Sequence, residues 1–554
     1  MLIAALLKVR WNHLSTYLIA GGDGPYYPLQ VRSIMENLHL AFPDMPLLFL
    51  LDAAIAKALS IFQIASPDNC VLFAIVFTNI VLPPLAAIPV FLLVKEMKPE
   101  EKKILFPQYL IVAFAVLNFT TLILFPNSQL NKNAVAMIGV FFFLYYLIRI
   151  LKHGLRKDFV WAAITLVACA LTHFGSFSIL LLVTFLVAAI HFLSNQNRFH
   201  FKQLKIILLF LTAVLIMLAL IATLDFERFL RLIKIPLKVF EAPLLLFLLH
   251  DENPYMNPLA ILTMVPANIL AIIGLIVLLK NRRQLHSVNK TIGFTMVILT
   301  FFFSSPLLGI EWASRLFMMS YVPLAILYII TFNIVKSKLM RVIPLVLFTL
   351  MIFIYLFMGI TFPTGQVITD EAFTEFKTLD DAVDFNSETL IAGRQDIRLL
   401  NSWFYRTKSS ADYLLSQKDF YTYKAIYVVK QIKGSNLPSG RFRETTIPAG
   451  AIKKIGGEYF EVYQLANSDG WNFANGNFIV ARGLITSVEN NSIVIHNTKT
   501  NYTRTVCLTK NTQIHFMQNE NQLANGIYVE VSGSRKPFSL AVDGDVIQVT
   551  KIPD

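Results

Sequence analysis

Long runs of apolar side chains constrain this chain more than any other feature of its sequence. A helix that crosses a bilayer needs about 20 mostly apolar residues. The apolar opening at residues 1–7 is too short for this, and we expect it to belong to a first helix that is truncated or begins upstream. With the runs below, the sequence predicts an α-helical polytopic membrane protein of about 11 spans. The runs are centred on 71–94, 104–125, 134–151, 159–172, 175–193, 205–224, 258–279, 291–306, 316–335 and 341–360.

Two further apolar stretches, 46–64 and 226–249, carry several polar groups on one side of a helix. Such a pattern is typical of an amphipathic helix that lies in the membrane interface. We therefore do not count either stretch as a span. The polar groups are Asp52, Lys57, Ser60 and Gln63 in the first stretch, and Arg228, Arg231, Lys234 and Lys238 in the second.

The distribution of basic residues predicts the orientation in the membrane. The chain is 55% hydrophobic, with 15% charged residues and a mean hydropathy of +0.59, which excludes a disordered chain and disfavours a soluble enzyme. Alternate loops carry 18 Lys and Arg residues on one side of the predicted membrane and 8 on the other. Since basic loops stay in the cytoplasm, this difference accounts for the net charge of +13 without a nucleic-acid partner. We expect a multi-pass protein of the plasma (inner) membrane, with residues 21–46 and everything after 361 outside.

The composition changes at about Thr361, where charged residues, Gly and Asn return. Three strand-like segments with a helix over 396–415 predict a small extracytoplasmic α/β domain at 361–466. Five alternating segments within 475–554 predict a small β-barrel that resembles the OB fold. The predicted domains are thus a transmembrane domain at 1–360 and these two units. A ligand-binding role and a structural role are both open for the barrel.

The stretch "GGDGPYYPLQVRSIMENLHLAFPDMP", from Gly21 to Pro46, is unexpectedly polar for its position. A lipid-facing segment has no use for the carboxylate of Asp23, the tyrosine pair or Arg32, whereas a site at the membrane surface does. The alternative for Asp23 is a turn or a helix cap.

Three stretches together resemble the GT-C superfamily of membrane glycosyltransferases. They are "DGPYYPLQVRSI" (23–34), "PLAAIPVFLLVKEM" (84–97) and "WASRLFMMSYVPLAIL" (312–327). The superfamily includes the oligosaccharyltransferases, the protein O-mannosyltransferases and the aminoarabinose transferase. The resemblance implies a GT-C-like fold and transfer of a sugar from a polyprenyl-phosphate or pyrophosphate carrier to an extracytoplasmic glycan, lipid or protein acceptor.

The resemblance also implies roles for individual residues. Asp23 would activate the acceptor, as a general base or through a metal, and Arg315 would contact the carrier phosphate. The alternative for Arg315 is an interfacial anchor. The alternative for the basic face of 226–249 is a contact with anionic lipid headgroups. Glu311 is a further candidate acid, and His173 is better explained as a hydrogen-bonded structural residue. The predicted substrate- and carrier-binding residues are Tyr26, Tyr27, Arg32, Arg228, Arg231, Asp251, Glu252 and Arg315.

One departure from the family pattern leaves the metal requirement open. Oligosaccharyltransferases carry acids in the outer loop before the fourth helix, but here that loop, "FPNSQLNKNAVAM", has no carboxylate. A divalent cation such as Mg²⁺ or Mn²⁺ would need Asp23, Asp251 and Glu252 as candidate ligands; otherwise catalysis is metal-independent. Two other functions are also considered: a lipid-linked glycan flippase, and a non-catalytic scaffold that presents the extracytoplasmic domains.

Overall fold

The computed structural model describes most of the chain. The described ranges are 24–97, 109–115, 131–194, 239–249, 258–361, 368–434, 451–465, 479–515 and 522–550, with short gaps inside them and a few isolated positions elsewhere.

The described part of residues 1–361 is mainly helical. Its helices coincide with eight of the ten predicted spans, while most of 104–125 and 205–224 lies outside the described residues. The helices are α1 Tyr26–Asn37, α2 Leu47–Ile61, α3 Pro67–Val81, α4 Ala87–Met97, α5 Asn131–His153, α6 Arg156–Thr172, α7 Phe174–Ser194, α8 Leu244–Leu249, α9 Pro258–Lys280, α10 Ser287–Phe303, α11 Ile310–Phe317, α12 Tyr321–Phe332 and α13 Lys338–Thr361.

By length and composition, four of the described helical segments could cross a membrane; their insertion and the number of spans remain predictions. They are Pro67–Met97, Asn131–His153, Phe174–Leu193 and Arg315–Phe332. The first consists of α3 and α4, joined by a 3-10 turn at Pro83–Ala86 where proline removes a helical N–H. Its 31 residues are about 46 Å long, well beyond the roughly 30 Å of a hydrocarbon core.

The helix α2 differs from the prediction in one respect. Asp52, placed on the polar face by the sequence pattern, is fully buried, so that part of the prediction is wrong. The helix packs on α3 through a five-residue connection, and its inward face carries Leu48, Phe49, Asp52, Ala53 and Ala56. The hydroxyl of Thr78 on α3 donates a 2.6 Å hydrogen bond to Asp52, which explains how a carboxyl group is accommodated on this face.

The segment after α13 contains a mixed five-stranded sheet of order β2-β1-β3-β5-β4. The pairs of β1 with β2 and with β3 are parallel, and the remaining pairs are antiparallel. Its elements are α14 Asp370–Phe376, α15 Leu379–Ala382, β1 Thr389–Gly393, α16 Gln395–Phe404, β2 Ser409–Ala411, α17 Gln417–Thr422, β3 Ala425–Gln431, β4 Ile452–Gly456 and β5 Phe460–Leu465.

The helix predicted over 396–415 is too long, because α16 ends at Phe404. Two residues later Arg406 adopts a left-handed backbone conformation, with φ of 57°. This conformation ends a helix, and it turns the chain into β2.

The last five strands form a closed barrel of order β10-β8-β7-β6-β9, which confirms the predicted small barrel. Parallel pairing of β8 with β10 and antiparallel pairing elsewhere make it a five-stranded Greek-key barrel, the architecture of the OB fold. The backbone N–H of Ala242, next to α8, donates to the carbonyl of Lys536 between β9 and β10. The strands are β6 Ile479–Glu489, β7 Ser492–Asn497, β8 Tyr502–His515, β9 Tyr528–Arg535 and β10 Val542–Thr550.

One hydrophobic core joins α1, α2 and α3 to the α/β unit. Tyr27, Phe49 and Val71 of the helices share it with Phe376 and Trp403 of the C-terminal segment. The two parts therefore pack as one body on this side, although the sequence separates them at residue 361. The predicted domain boundaries themselves stay predictions.

Candidate functional site

A polar cluster lies where α1, α2 and α5 begin. The carboxylate of Asp44 accepts hydrogen bonds from the Tyr26 hydroxyl, the Lys132 ammonium and, at 2.8 Å, the backbone N–H of Met45. The side chains of Asp44 and Lys132 are only 6% and 15% exposed, so this ion pair is largely withdrawn from water. Three donors therefore converge on one carboxylate.

Gln30, one turn along α1, ties this cluster to the loop between α1 and α2. Its side-chain amide donates to the Tyr26 hydroxyl and to the carbonyl of Phe42, both at 2.9 Å. In return its side-chain oxygen accepts a 3.1 Å hydrogen bond from the backbone N–H of Phe42. The middle of the loop is therefore fixed to α1.

Aromatic rings line the same cluster. The Tyr26 ring stacks on Phe42 with centroids 6.1 Å apart, and the Lys132 ammonium lies 5.6 Å and 5.3 Å from the ring centroids of Tyr26 and Phe49. The Arg398 guanidinium of α16 lies 5.2 Å from the ring centroid of Phe42. Cations held over ring faces gain electrostatic attraction, so this surface has two fixed cations in its aromatic lining.

Asn131, the residue before Lys132, is also buried and polar. The residue is only 2% exposed, and neither polar atom of its side-chain amide has a hydrogen-bond partner in the part of the chain that the structure describes. The N-terminus of α5 therefore carries both a cation and a buried amide.

The structure separates the two tyrosines of the predicted site. Tyr26 is part of the polar cluster, whereas Tyr27 is 1% exposed and packs in the shared core against Phe49. The remaining predicted residues of the sugar-transfer site, Asp23, Arg228, Arg231, Asp251 and Glu252, lie outside the described residues.

Arg32 joins α1 to α16. Its guanidinium donates to the carbonyls of Trp403 and Ser402 at 2.6 and 2.8 Å, and it lies 4.5 Å from the ring centroid of Trp403. A cation at the carboxyl end of a helix satisfies carbonyls that lack helical partners and interacts favourably with the helix dipole. Burial, followed by the positive charge of Arg406, lowers the pKa of Arg32. These are the contacts of a docking residue, and the predicted role in carrier binding stays a prediction.

Arg315 occupies the last turn of α11, where its side chain is exposed and lies 5.9 Å from the ring centroid of Trp312. The buried side of α11 packs through Ala313 and Phe317 against the segment around Val239. Arg315 is therefore accessible, as carrier binding and interfacial anchoring both require.

His173 has the structural role that the sequence favours. Its Nδ1 accepts a 3.0 Å hydrogen bond from the backbone N–H of Ser176 and lies 3.0 Å from that residue's hydroxyl, in the first turn of α7. It thus satisfies an N–H that the start of a helix leaves unpaired.

The described residues give no support to a divalent cation in the Asp44 cluster. Among the described residues Asp44 is the one carboxylate of this cluster, and it is already paired with the Lys132 ammonium. Elsewhere in the described part, no three His, Cys, Asp or Glu side chains come together as a metal site. The candidate ligands Asp23, Asp251 and Glu252 are untested, since all three fall in ranges left undescribed.

Sequence reasoning missed Asp44. Its only signal is a single acid between two prolines in "FPDMP", and its partner Lys132 lies 88 residues further along the chain. No local pattern links two such positions.

Comparison with known proteins identifies the fold. The sequence matches no protein-family model and no curated protein. Among solved structures, the crystal structure of the Archaeoglobus fulgidus oligosaccharyltransferase in the apo form aligns with 78% of this chain and 69% of its own, at 13% identity and a TM-score of 0.51. The archaeal oligosaccharyltransferase AglB of the same organism, in complex with an inhibitory peptide and a dolichol-phosphate, aligns with 99% of this chain and 98% of its own, at 11% identity and a TM-score of 0.41.

The apo enzyme is a member of the GT-C superfamily. This chain therefore has a fold similar to that of the oligosaccharyltransferase, and the resemblance to the GT-C superfamily stated from its sequence is confirmed at the level of fold.

Proposed function

We propose that this protein is a membrane glycosyltransferase that moves a sugar from a polyprenyl-phosphate or pyrophosphate carrier to an extracytoplasmic acceptor. The observation that carries the proposal is the GT-C fold together with a polar, aromatic-lined cluster where α1 and α5 begin. A fold alone does not define a reaction, so the argument depends on where the cluster lies and on the residues beside it.

Helix lengths support a position at the outer membrane surface. Arg149 of α5 pairs with Glu96 of α4 at 3.3 Å and with Asp158 of α6 at 2.9 Å, at the predicted cytoplasmic ends of all three helices. The 23 residues of α5 are about 34 Å long, close to the roughly 30 Å of the hydrocarbon core. Lys132, at the other end of α5, would then lie at the outer boundary, where a polyprenyl-linked donor presents its sugar.

The proposed reaction needs a base for the acceptor and cations for the leaving carrier. Asp23 would accept a proton from the acceptor. At the same time the nucleophilic atom of the acceptor would bond to the anomeric carbon of the sugar. The bond from that carbon to the carrier phosphate oxygen breaks, and guanidinium groups stabilise the phosphate that leaves. Arg315 is the described candidate for this second role, and Arg228 and Arg231 are further candidates.

The position of Asp23 in the sequence links it to the described cluster. It precedes Tyr26 by three residues, and three residues of extended chain span at most about 11 Å. A base at this position would work beside the Tyr26–Asp44–Lys132 cluster, within reach of an acceptor that approaches from outside.

Asp23→Asn tests the proposal, because it preserves size and capping ability but removes the basic carboxylate. Loss of a general base lowers the rate by about 10²- to 10⁴-fold. The assay is sugar transfer in membranes supplied with a polyprenyl-linked sugar, with protein level and melting temperature measured beside it. Asp68→Asn, which changes a partly exposed acid at the start of α3, is the matched control and should transfer sugar normally. A folded Asp23→Asn protein with the wild-type rate would favour the flippase or scaffold instead.

A further inference from the structure

We propose that Cys507 and Lys536, on the outer surface of the barrel, form an oxidative modification site. A peroxide oxidises the thiol, and the lysine amine then captures the oxidised sulfur in a covalent S–N bond. The Lys536 ammonium donates a 3.2 Å hydrogen bond to the Cys507 sulfur. Cys507 belongs to β8, whereas Lys536 directly follows the last residue of β9, so the bond would join two separate elements. The site is independent of sugar transfer.

The strand pattern of β8 places the Cys507 side chain on the outside of the barrel. Val506 is fully buried in the barrel core, whereas Thr505 is exposed and Cys507 is half-buried. Because successive side chains of a strand point to opposite faces, Cys507 shares the outer face with Thr505. A small soluble oxidant can therefore reach the thiol.

Asp543 holds the lysine beside this thiol. Cys507 and Asp543 are direct partners in the parallel ladder of β8 and β10, and the Asp543 carboxylate lies 3.1 Å from the Lys536 ammonium. The pKa of Lys536 is raised, first by its hydrogen bond to Cys507 and then by its hydrogen bond to Asp543. A cation beside a thiol stabilises the negative sulfur that attacks a peroxide. The cluster therefore favours the first oxidation step.

Neither of the other two cysteines of the chain is available as a disulfide partner. Cys70 and Cys169 are buried in the helices α3 and α6, where their thiols contact the backbone carbonyls of Ala65 and Ala136. An oxidised sulfur at Cys507 has the Lys536 nitrogen beside it instead. The captured sulfur would also fix the turn after β9, where the carbonyl of Lys536 accepts the backbone N–H of Ala242.

The reaction balances in two steps. In the first, the sulfur attacks one oxygen of hydrogen peroxide, the O–O bond breaks, and a sulfenic acid and water form; the sulfur is oxidised and the peroxide is reduced. In the second, the ammonium releases a proton to solvent and the amine attacks the sulfur. The S–O bond then breaks, and water leaves with a second amine proton, as when a sulfenic acid condenses with a nitrogen to a sulfenamide. Since the amine must first be neutral, the link should form faster at about pH 9 than at about pH 7.

Peptide mass spectrometry of the full-length protein tests the site. The protein is treated with hydrogen peroxide, the peroxide is removed, free thiols are blocked, and the chain is digested with trypsin. We expect the peptides 505–510 and 536–551 as a linked pair, lighter by two hydrogen atoms than their sum. Dithiothreitol added before digestion should release them, because a thiol reduces the S–N bond. Protein oxidised in guanidinium chloride should give no linked pair.

Two lysine variants separate this site from general reactivity. Lys536→Arg keeps a cation beside the thiol, but a guanidinium stays protonated and does not attack the sulfur, so the linked pair should be lost. Lys510→Arg is the matched control, since Lys510 is an exposed lysine three residues from Cys507 on the same strand. This variant should keep the link.

Wild-type protein alone can overturn the inference. Cys507 recovered unoxidised, or oxidised to a sulfinic or sulfonic acid without the linked pair, would refute it. Linkage of Cys507 to Lys510, or an equal yield of the linked pair from denatured protein, would show reactivity that does not need the described cluster and would refute it as well.

Discussion

Asp52 gives the protein a pH-dependent stability that can be worked out from its surroundings. The residue is fully buried on the side of α2 that packs on α3. Burial raises the pKa of its carboxyl group to about 7, and the hydrogen bond from Thr78 lowers it by a smaller amount. Its second oxygen, Oδ2, has no hydrogen-bond partner among the described residues. The native state therefore holds a proton that the unfolded chain releases at a pH of about 4.

The sign of the effect follows from proton linkage. Between pH 4 and pH 7 the native state binds more protons at Asp52 than the unfolded state does, so the free energy of unfolding falls as pH rises through this interval. The difference between a pKa of about 7 and the ordinary value of 3.8 corresponds to about 4 kcal/mol at most. Above pH 7 the loss is complete, and Asp52 adds no further dependence.

Asp52→Asn should remove this dependence. The amide keeps an oxygen for the Thr78 hydroxyl but carries no charge, at a cost of about 1–3 kcal/mol for its unpaired NH₂ group. We expect the variant to be at least as stable as wild type at pH 8, and to lose about 2–3 kcal/mol of stability relative to wild type between pH 8 and pH 5. The melting temperature of the purified protein is measured by tryptophan fluorescence from pH 5 to pH 8. Asp68→Asn, which changes a partly exposed acid, is the control and should keep the wild-type dependence of melting temperature on pH. Parallel curves for Asp52→Asn and wild type would refute the reasoning.

Three further predictions concern docking, the donor and topology. Arg32→Met should lower the free energy of unfolding by about 2–4 kcal/mol, because it removes two charged hydrogen bonds at the end of α16. The control Arg406→Met changes an exposed arginine and should lower it by less than about 1 kcal/mol. Equal losses would contradict the docking role of Arg32. Arg315→Ala should lower sugar transfer by about 10²- to 10³-fold while Arg315→Lys keeps part of it, and full activity of the alanine variant would remove Arg315 from the site. Accessibility labelling should place single cysteines on the two predicted sides of the membrane, and cytoplasmic labelling at residue 467 would overturn the topology. The cytoplasmic positions are Lys102, Lys157 and Arg283, and the outer one is Asn467.

The sequence by itself determined most of the long elements of this protein. An apolar run of about 20 residues has few alternatives to a membrane helix, and alternation every second residue has few alternatives to a strand. The described helices within eight of the ten predicted spans and the five strands of the barrel follow from such local patterns. The quoted motifs also pointed to the GT-C fold, because they preserve an order of features along the chain.

Only the tertiary structure decided which side chains meet. Asp44 pairs with a lysine 88 residues away, and Arg32 reaches carbonyls some 370 residues away. Asp52 was assigned to a polar surface because periodicity shows which side of a helix carries polar groups, but not what covers that side. A buried hydroxyl one helix away is enough to reverse the assignment. The physical reason is that element formation depends on neighbours along the chain, whereas burial and pairing depend on neighbours in space.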